Sequence, residues 1–345
     1  MIMKKIIYVV FLAAAVSGIA ASCTVEGTTN ANEVRKQYLE AWMEVNHPGV
    51  NPTGLGIYIL EDTPGTGAAW TEDNPCVFVN YTVRSLDGTI TTTNDVKLNK
   101  QLGTYDPAAS YEPVVWSIGE GTSYKGIDEM LVGMKVGGTR TAVIPSWLIT
   151  FYRYSKDETY YKTSVETSPV IYTITLKDMT SDLRQYCINN LEAYVHKEID
   201  PQLDSTFYNG KDGSSLGFYF KSLSQPLDSV IPSGSKGHLW YITRRLDGQV
   251  VDTNIADTAK VHGIYDPTRS YSTVDITYAA EYTDIQFGGT SAITGFQAAM
   301  QHMHAREKAT TVFYYGLGYG GTAKDRIPAY SSLRFDLEFV DLDIE

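Results

Sequence analysis

The sequence has few cysteines. Only three occur in 345 residues, at positions 23, 76 and 187. A disulfide framework is therefore not indicated. Cys187 falls on the apolar stripe of a predicted helix and Cys76 begins a predicted strand, so we interpret both as buried structural thiols. The histidines are scattered along the chain, so a structural zinc site is not expected.

Positive charge is also scarce. Lysine and arginine number 28 against 40 aspartates and glutamates, which gives a formal net charge of −12. Removal of the leader described below takes away two lysines and leaves −14. Binding of phosphates needs a basic surface, which argues against nucleic acid as a partner. By contrast, 29 glycines and 25 tyrosines are typical of a β-rich, turn-rich protein.

Only one long apolar run occurs, at the N-terminus. Lys4 and Lys5 precede apolar residues 6–16, and small residues lead up to Cys23. This order predicts a secretory signal peptide over residues 1–22. A membrane anchor is the alternative, but the run is shorter than the ~20 residues that a spanning helix needs.

The cysteine that follows the small residues resembles a bacterial lipobox. The resemblance implies cleavage before Cys23 and lipidation of its thiol. Residues 23–32 would then form a polar tether. We therefore expect a lipid-anchored protein of the bacterial cell envelope, in the outer membrane, with a possible envelope protein partner; the face of the membrane is left open.

The chain repeats itself at an offset of 160 residues. The segment VNYTVRSLDGTITTTN, from Val79, aligns with LWYITRRLDGQVVDTN, from Leu239, and GTYDPAASY aligns with GIYDPTRSY. GIDEMLVGM aligns with GFQAAMQHM at an offset of 169, so the second copy carries about nine extra residues. So long a repeat indicates two copies of one domain. We place them at residues 33–180 and 181–345.

Each copy opens with a predicted amphipathic helix, which we interpret as a packing strut, with partner binding as the alternative. The apolar stripes are Val34, Tyr38, Ala41, Trp42 and Val45 in the first copy, and Leu183, Cys187, Leu191, Tyr194 and Val195 in the second. Hydrophobic patterns predict strands at 55–60, 76–84, 139–144, 170–176, 216–221, 237–245, 309–314 and 333–339, and short helices at 127–133 and 296–302. The fold class is therefore α+β, with an antiparallel sheet wrapped on a short helix in each copy.

Two stretches resemble a known family. The segment VVWSIGEGTSYKGIDEMLVGMKVGGTRTAVI, from Val114, and the Pro145 that follows it resemble the central block of FKBP-type peptidyl-prolyl isomerases. In the second copy, GYGG and IPAYSSLRFDLEFVDL are similar to the tyrosine-glycine loop, the Ile-Pro turn and the final strand of the same family. The resemblance implies rotation of X-Pro bonds in proline-containing polypeptides, inside an apolar pocket and without nucleophile, metal or cofactor.

Matched position by position, the resemblance implies a pocket in the second copy. The catalytic candidates are Tyr241, Asp252, Phe296 and Tyr319, where Phe296 stands in place of the family's floor tryptophan. The substrate-binding candidates are Val251, Ile293, Ile327 and Phe335. Any one of these residues alone could equally be a core residue, and Asp252 alone could be a turn cap. The hypothesis therefore rests on the whole set.

The first copy departs further from the family. Ile127 replaces the floor tryptophan, and Thr91-Thr92 replaces the Phe-Asp pair, so the carboxylate is missing. We interpret this copy as inactive in isomerisation. Two functions stay open for the chain: a lipid-anchored isomerase and folding helper that acts through its second domain, or a non-catalytic module that binds a peptide or a partner protein.

Overall fold

The computed structural model describes residues 31–119, 123–163, 167–206, 217–224 and 231–342. The predicted signal peptide, Cys23 and most of the predicted tether lie outside these residues. Among the helices that are described, none is both long enough and apolar enough to cross a bilayer.

Six strands and four α-helices lie in the part of domain 1 that the structure describes. In chain order they are α1 (Ala31–Asn46), β1 (Tyr58–Thr63), β2 (Cys76–Ser85), β3 (Ile90–Thr93), α2 (Val96–Leu102), β4 (Val114–Ser117), α3 (Lys125–Leu131), β5 (Thr139–Ile144), α4 (Asp157–Lys162) and β6 (Val170–Thr180). The sequence patterns did not predict α2 and α4, which have only one or two turns.

Domain 2 repeats this order with two differences: it has an added hairpin, and none of its described α-helices corresponds to α4. Its elements are α5 (Leu183–Glu198), β7 (Phe218–Ser222), β8 (Lys236–Arg245), β9 (Val250–Thr253), α6 (Ala256–Val261), β10 (Val274–Thr277), β11 (Gln286–Phe287), β12 (Thr290–Ser291), α7 (Thr294–His302), β13 (Lys308–Phe313) and β14 (Leu333–Leu342). The hairpin β11–β12 lies in the segment where the second copy has its extra residues.

The two sheets have the same topology. In domain 1 the order is β1-β5-β6-β2, and β2 also pairs with β3 and β4; in domain 2 it is β7-β13-β14-β8, and β8 also pairs with β9 and β10. All these pairs are antiparallel, and Val83 pairs with Thr92 as Thr243 pairs with Asp252. This pairing follows the sequence offset of 160, and together with the shared strand order it confirms the predicted duplication.

A buried asparagine fixes the same strand connection in each domain. The side chain of Asn254 accepts a hydrogen bond from the N–H of Tyr241 and donates to the carbonyls of Leu239 and Ser272. Asn94 accepts in the same way from the N–H of Tyr81. Buried amides need such partners, since an unsatisfied polar group is costly. The hydrogen bond from the backbone N–H to the asparagine thus holds Tyr241 in domain 2 and Tyr81 in domain 1 in place.

A glycine in the first turn of the short central helix lets each helix approach its sheet. A Cβ atom on Gly126 of α3 would lie 2.3 Å from Cγ2 of Ile144, and a Cβ on Gly295 of α7 would lie 2.4 Å from Cγ of Phe313. Both distances are well below van der Waals contact. Ile144 and Phe313 are fully buried at equivalent positions of β5 and β13, so the close approach closes both cores.

The face of α1 that is buried differs from the one predicted. Val34, Tyr38 and Val45 are 54%, 59% and 80% exposed, whereas Leu39 and Met43 are buried. The helix also begins at Ala31, inside the stretch predicted as tether, because the buried side-chain amide of Asn32 donates to the carbonyls of Tyr161 and Thr163. A polar anchor, which hydropathy patterns do not reveal, sets the rotation of this helix.

The helix α5 opens the second domain and packs largely as predicted. Leu183, Leu191 and Val195 of the predicted stripe are buried, and Ile188 joins them. Cys187 is only half-buried, and burial together with the nearby Cys76 raises its pKa to about 11. The predicted boundary between residues 180 and 181 falls in the short connection between β6 and α5, where the side chain of Asp182 caps the helix by accepting from the N–H of Gln185.

Candidate functional site

A cavity of about 370 Å³ opens on one face of the domain 2 sheet. Its lining comes from the strands β8, β9 and β14, the hairpin β11–β12, the start of α7, and the loop between β13 and β14, residues 314–332, which we call the rim loop. The lining residues are Tyr241, Thr243, Asp252, Phe287, Ser291, Ala292, Ile293, Phe296, Tyr319, Lys324, Ile327 and Phe335. The size suits one small side chain with its flanking peptide groups.

The floor of this cavity is aromatic. Phe296 is buried at the start of α7, and its ring meets Phe287 edge-on at 4.9 Å and Phe335 at 5.7 Å between centroids. Phe335 in turn stacks on Phe313 at 5.6 Å. These edge-to-face and offset contacts are the arrangements that aromatic rings favour. The floor is therefore rigid and apolar.

One wall of the cavity is polar and forms a closed triangle. The hydroxyl of Tyr241 donates to Asp252 Oδ2 at 2.8 Å and accepts from Arg269 Nη2 at 2.8 Å. Arg269 Nη1 donates to Asp252 Oδ1. Burial, followed by the charge of Asp252, raises the pKa of Tyr241. The phenol is therefore neutral at neutral pH and remains a hydrogen-bond donor.

Two further donors face the cavity. Burial, then the charges of Asp252 and Asp325, raise the pKa of Tyr319, so its hydroxyl keeps its proton. No hydrogen bond joins this hydroxyl to any described residue. Ile293 caps α7 and its carbonyl accepts from the N–H groups of Phe296 and Gln297. The N–H of Ile293 has no backbone partner in the described part of the chain, which leaves both donors available to a carbonyl of a bound ligand.

The rim loop has a fixed backbone. Gly320 has a φ of +61°, which favours glycine, and a Cβ on Gly316 would lie 2.4 Å from the ring of Tyr314. Lys324 and Ile327 exchange two backbone hydrogen bonds of 2.8 Å across a two-residue turn. The loop thus holds the ring of Tyr319 and the side chain of Ile327 over the cavity by its own hydrogen bonds.

Seven of the eight predicted site residues line this cavity, and Val251 does not. Val251 lies in the buried core of the domain instead. Val251 is the extra residue of a β-bulge, since Thr243 pairs with Asp252 and the next residue, Arg244, pairs with Val250. A substrate-binding role for Val251 therefore lacks support from its position.

Sequence reasoning missed Arg269 and Phe287. Arg269 lies 17 residues from Asp252, and only the fold joins them; the one signal was that the aligned residue of the first copy is Ala109. Phe287 lies on the hairpin of the extra segment, just before Gly288-Gly289, a pair typical of a turn. The extra residues of the second copy thus contribute a wall of the cavity.

The corresponding region of domain 1 has different side chains. Thr92 occupies the register position of Asp252, and Tyr172 that of Phe335. Tyr81 packs its ring on Trp116 at 5.5 Å, and Ile127 is fully buried. The polar triangle of domain 2 therefore has no equivalent at these positions.

Comparison with known proteins identifies the family. The sequence model described as FKBP-type peptidyl-prolyl cis-trans isomerase matches residues 70–177 and 231–340, which together make up more than half of the chain. The chain belongs to this family. Each matched region covers most of one sheet and leaves out its first strand, β1 or β7, and the last residues of its final strand. The fold is therefore α+β with two FKBP-like domains in tandem.

Individual relatives of these FKBP domains are distant. A short-type peptidyl-prolyl cis-trans isomerase of Methanocaldococcus jannaschii is 33% identical over 69 residues, which cover 20% of this chain and 43% of that protein. The chain thus matches less than half the length of this relative.

Two solved structures are also similar to the chain. The three FKBP domains of wheat FKBP73 share 17% identity over 84% of this chain and 95% of that one, with a TM-score of 0.29. FkpA from Escherichia coli shares 19% identity over 51% of this chain and 72% of that one, with a TM-score of 0.28.

Proposed function

We propose that domain 2 catalyses cis-trans isomerisation of X-Pro bonds in polypeptides and that the protein acts as a folding helper. The observation that carries the proposal is the cavity in which the aromatic floor at Phe296 faces the triangle of Tyr241, Asp252 and Arg269. Uncatalysed isomerisation takes tens to hundreds of seconds, slow enough to limit folding.

The chemistry needs only this environment. Resonance in the amide creates a rotational barrier of ~18–20 kcal/mol. An apolar site disfavours the charge-separated resonance form, and a twisted amide loses less by rotating. The proline ring would sit on Phe296, while the hydroxyl of Tyr319 and the N–H of Ile293 hold flanking carbonyls. Binding of the twisted amide in preference to the planar one then lowers the barrier.

Domain 1 is proposed to be non-catalytic. Thr92 and Ile127 stand at the positions of Asp252 and Phe296, so neither the carboxylate nor the aromatic floor is present there. If domain 2 also proves inactive, the second candidate function for the chain is binding of a peptide or a partner protein without catalysis.

A protease-coupled assay with an Ala-Pro peptide tests the proposal on residues 24–345. We expect a rate above background at micromolar protein. Tyr319→Phe should lower kcat/KM about threefold to tenfold, the effect of one lost hydrogen bond, without lowering the melting temperature. Tyr38→Phe, on the exposed face of α1, is the matched control. The absence of any rate above background would refute the isomerase proposal.

The protein is further proposed to be exported and anchored to the membrane through a lipid on Cys23. Supporting this, Cys23 follows a predicted signal peptide in an order similar to a lipobox. In a bacterial host fed a radiolabelled fatty acid, the wild-type chain should take up label and fractionate with membranes. Cys23→Ala should do neither, whereas Cys76→Ala should behave as wild type. Label in the Cys23→Ala protein would argue against the anchor.

A further inference from the structure

The side chain of Arg245 connects the two domains. It lies at the end of β8 and is buried. Its Nη1 donates to the carbonyl of Ala108 at 3.2 Å, and its Nη2 donates to the carbonyl of Ala109 at 3.1 Å. Both acceptors belong to the loop of domain 1 between α2 and β4. Asp247 Oδ2 completes the set by accepting from Nε and Nη2.

The same guanidinium also holds the rim loop of domain 2. Nη1 of Arg245 donates to the carbonyl of Arg326 at 2.8 Å. Arg326 is one of the two central residues of the turn closed by Lys324 and Ile327, and both of these flanking residues line the cavity. A single rigid, planar cation thus bonds to the domain 1 loop and to the cavity rim together.

The two copies differ at the residues that make this contact. In domain 1, Ser85 stands at the position that Arg245 has in domain 2. Domain 1 therefore has no arginine there that could contact the loop of domain 2 in the same way. Ala109 occupies the position of Arg269. The loop of the second copy therefore supplies an arginine that bonds to Tyr241 and Asp252 of its own domain, whereas the loop of the first copy presents backbone carbonyls to domain 2.

The shape of this loop is the same in both copies. Tyr105 stacks on Tyr111 at 5.4 Å and Tyr265 on Tyr271 at 5.1 Å. The hydroxyl of each second tyrosine accepts a 2.9 Å hydrogen bond from the N–H of Asp106 or Asp266. Ala108 is completely buried. The loop of domain 1 is thus a stiff element seated against domain 2.

Packing around this contact is incomplete. A cavity of about 400 Å³ lies beside it, lined by Ser110 and Glu112 of domain 1 and by Pro328 and Tyr330 of the rim loop. This cavity interrupts the apolar packing between the domains. Here the hydrogen bonds of Arg245, rather than packed apolar side chains, hold the rim loop in place. Removal of the domain 1 carbonyls would leave buried N–H groups of Arg245 unsatisfied, a cost that favours a new geometry.

We propose that domain 1 positions the rim loop of the domain 2 cavity through Arg245, which makes Arg245 a positioning residue. The proposal rests on the isomerase function proposed above for its kinetic effect, and on the geometry alone for its effect on the loop. Domain 1 then contributes to the reaction although its own site lacks the carboxylate and the aromatic floor.

The test separates the two domains. Ala108→Glu places a charged side chain in the contact without altering domain 2, and Arg245→Met removes the guanidinium. Each should lower kcat/KM for the Ala-Pro peptide about threefold to tenfold, which lies within the range of couplings between distant sites. The double variant should be no slower than either single one, since both break the same link. Ala41→Glu, on the exposed face of α1, is the matched control and should leave the rate unchanged.

Amide hydrogen exchange gives a readout that does not depend on activity. In both variants the amides of Ile327 and Tyr330, which bond to the carbonyls of Lys324 and Gly320, should exchange faster, while those of β13 and β14 should not change. Unchanged exchange at these two amides in Ala108→Glu, or rate losses that multiply in the double variant, would overturn the proposal. An inactive wild-type protein would refute the isomerase function. Amide hydrogen exchange would still show whether domain 1 positions the rim loop.

Discussion

Replacement of Asp252 by alanine should lower kcat/KM for isomerisation about 10- to 100-fold, since a hydrogen bond to a charged group is worth about 1.5–3 kcal/mol. The substitution leaves the buried hydroxyl of Tyr241 and the guanidinium of Arg269 without their shared acceptor. Arg269 then keeps only its bond to the hydroxyl of Tyr241, and the wall of the cavity loses two of its three hydrogen bonds. The protease-coupled peptide assay measures this effect.

Two further variants sharpen this prediction. Asp252→Asn keeps an oxygen that can accept from Tyr241 but removes the charge opposite Arg269, so its rate should fall between those of the wild type and Asp252→Ala. Thr92→Ala changes the position of domain 1 that has the same register and should have no effect. A wild-type rate in Asp252→Ala would show that the triangle is not part of the site.

Replacement of Gly295 by alanine should destabilise domain 2 by about 3 kcal/mol, because overpacking of a dense core forces side chains and backbone apart. The new methyl group would lie within 2.5 Å of three ring atoms of Phe313. Phe313 cannot retreat, since it is fully buried and stacks on Phe335 of the cavity floor. Chemical denaturation, followed by aromatic fluorescence, measures the loss.

Matched glycines serve as controls for this effect. Gly54→Ala should be neutral, because no atom lies within 4 Å of the added Cβ and the backbone there has no positive φ. Gly126→Ala should destabilise domain 1 in the same manner through Ile144. If Gly295→Ala unfolds at the same denaturant concentration as the wild type, then α7 can shift and the close contact does not hold the core.

Most of the fold could be predicted because the chain presents it twice. The strand β5 was predicted at its observed bounds, and β2 and β8 to within one residue. The alternation of Leu333, Phe335, Leu337 and Phe339 with polar residues gave the buried face of β14 correctly. The period-two pattern succeeds for β14 because one of its faces is buried in the core and the other carries polar, partly exposed side chains.

The buried face of α1 could not be read from hydropathy. Its rotation follows from one buried amide, Asn32, and from the neighbours that Leu39 and Met43 find in domain 1. Its exposed tyrosine and valines formed the more regular stripe. A helix with apolar residues on several sides has more than one apolar stripe, and tertiary contacts determine which of these stripes is buried.

The site was predictable where the family resemblance matches single residues, on strands and helix and in the rim loop alike, and not where it depends on contacts that only the fold makes. Tyr241, Phe296 and Phe335 were placed by strand and helix matches, and all three line the cavity. Arg269 reaches Asp252 only because a loop folds back over the sheet, which no spacing in the sequence encodes. Arg245 was missed for the same reason, since its partners are backbone carbonyls that any sequence possesses.

The two loops that contain the stacked tyrosines, at 105–111 and 265–271, also show how the two copies could diverge. Each loop is held by its own pair of stacked rings and by a hydrogen bond from the N–H of Asp106 or Asp266 to the hydroxyl of its second tyrosine. Its shape therefore does not depend on the residue at position 109 or 269. A change between alanine and arginine at positions 109 and 269 therefore alters what the loop touches without altering its shape. Gene duplication of such a self-supporting loop gives evolution a part that can gain a new role by a single replacement while the rest of the domain stays folded.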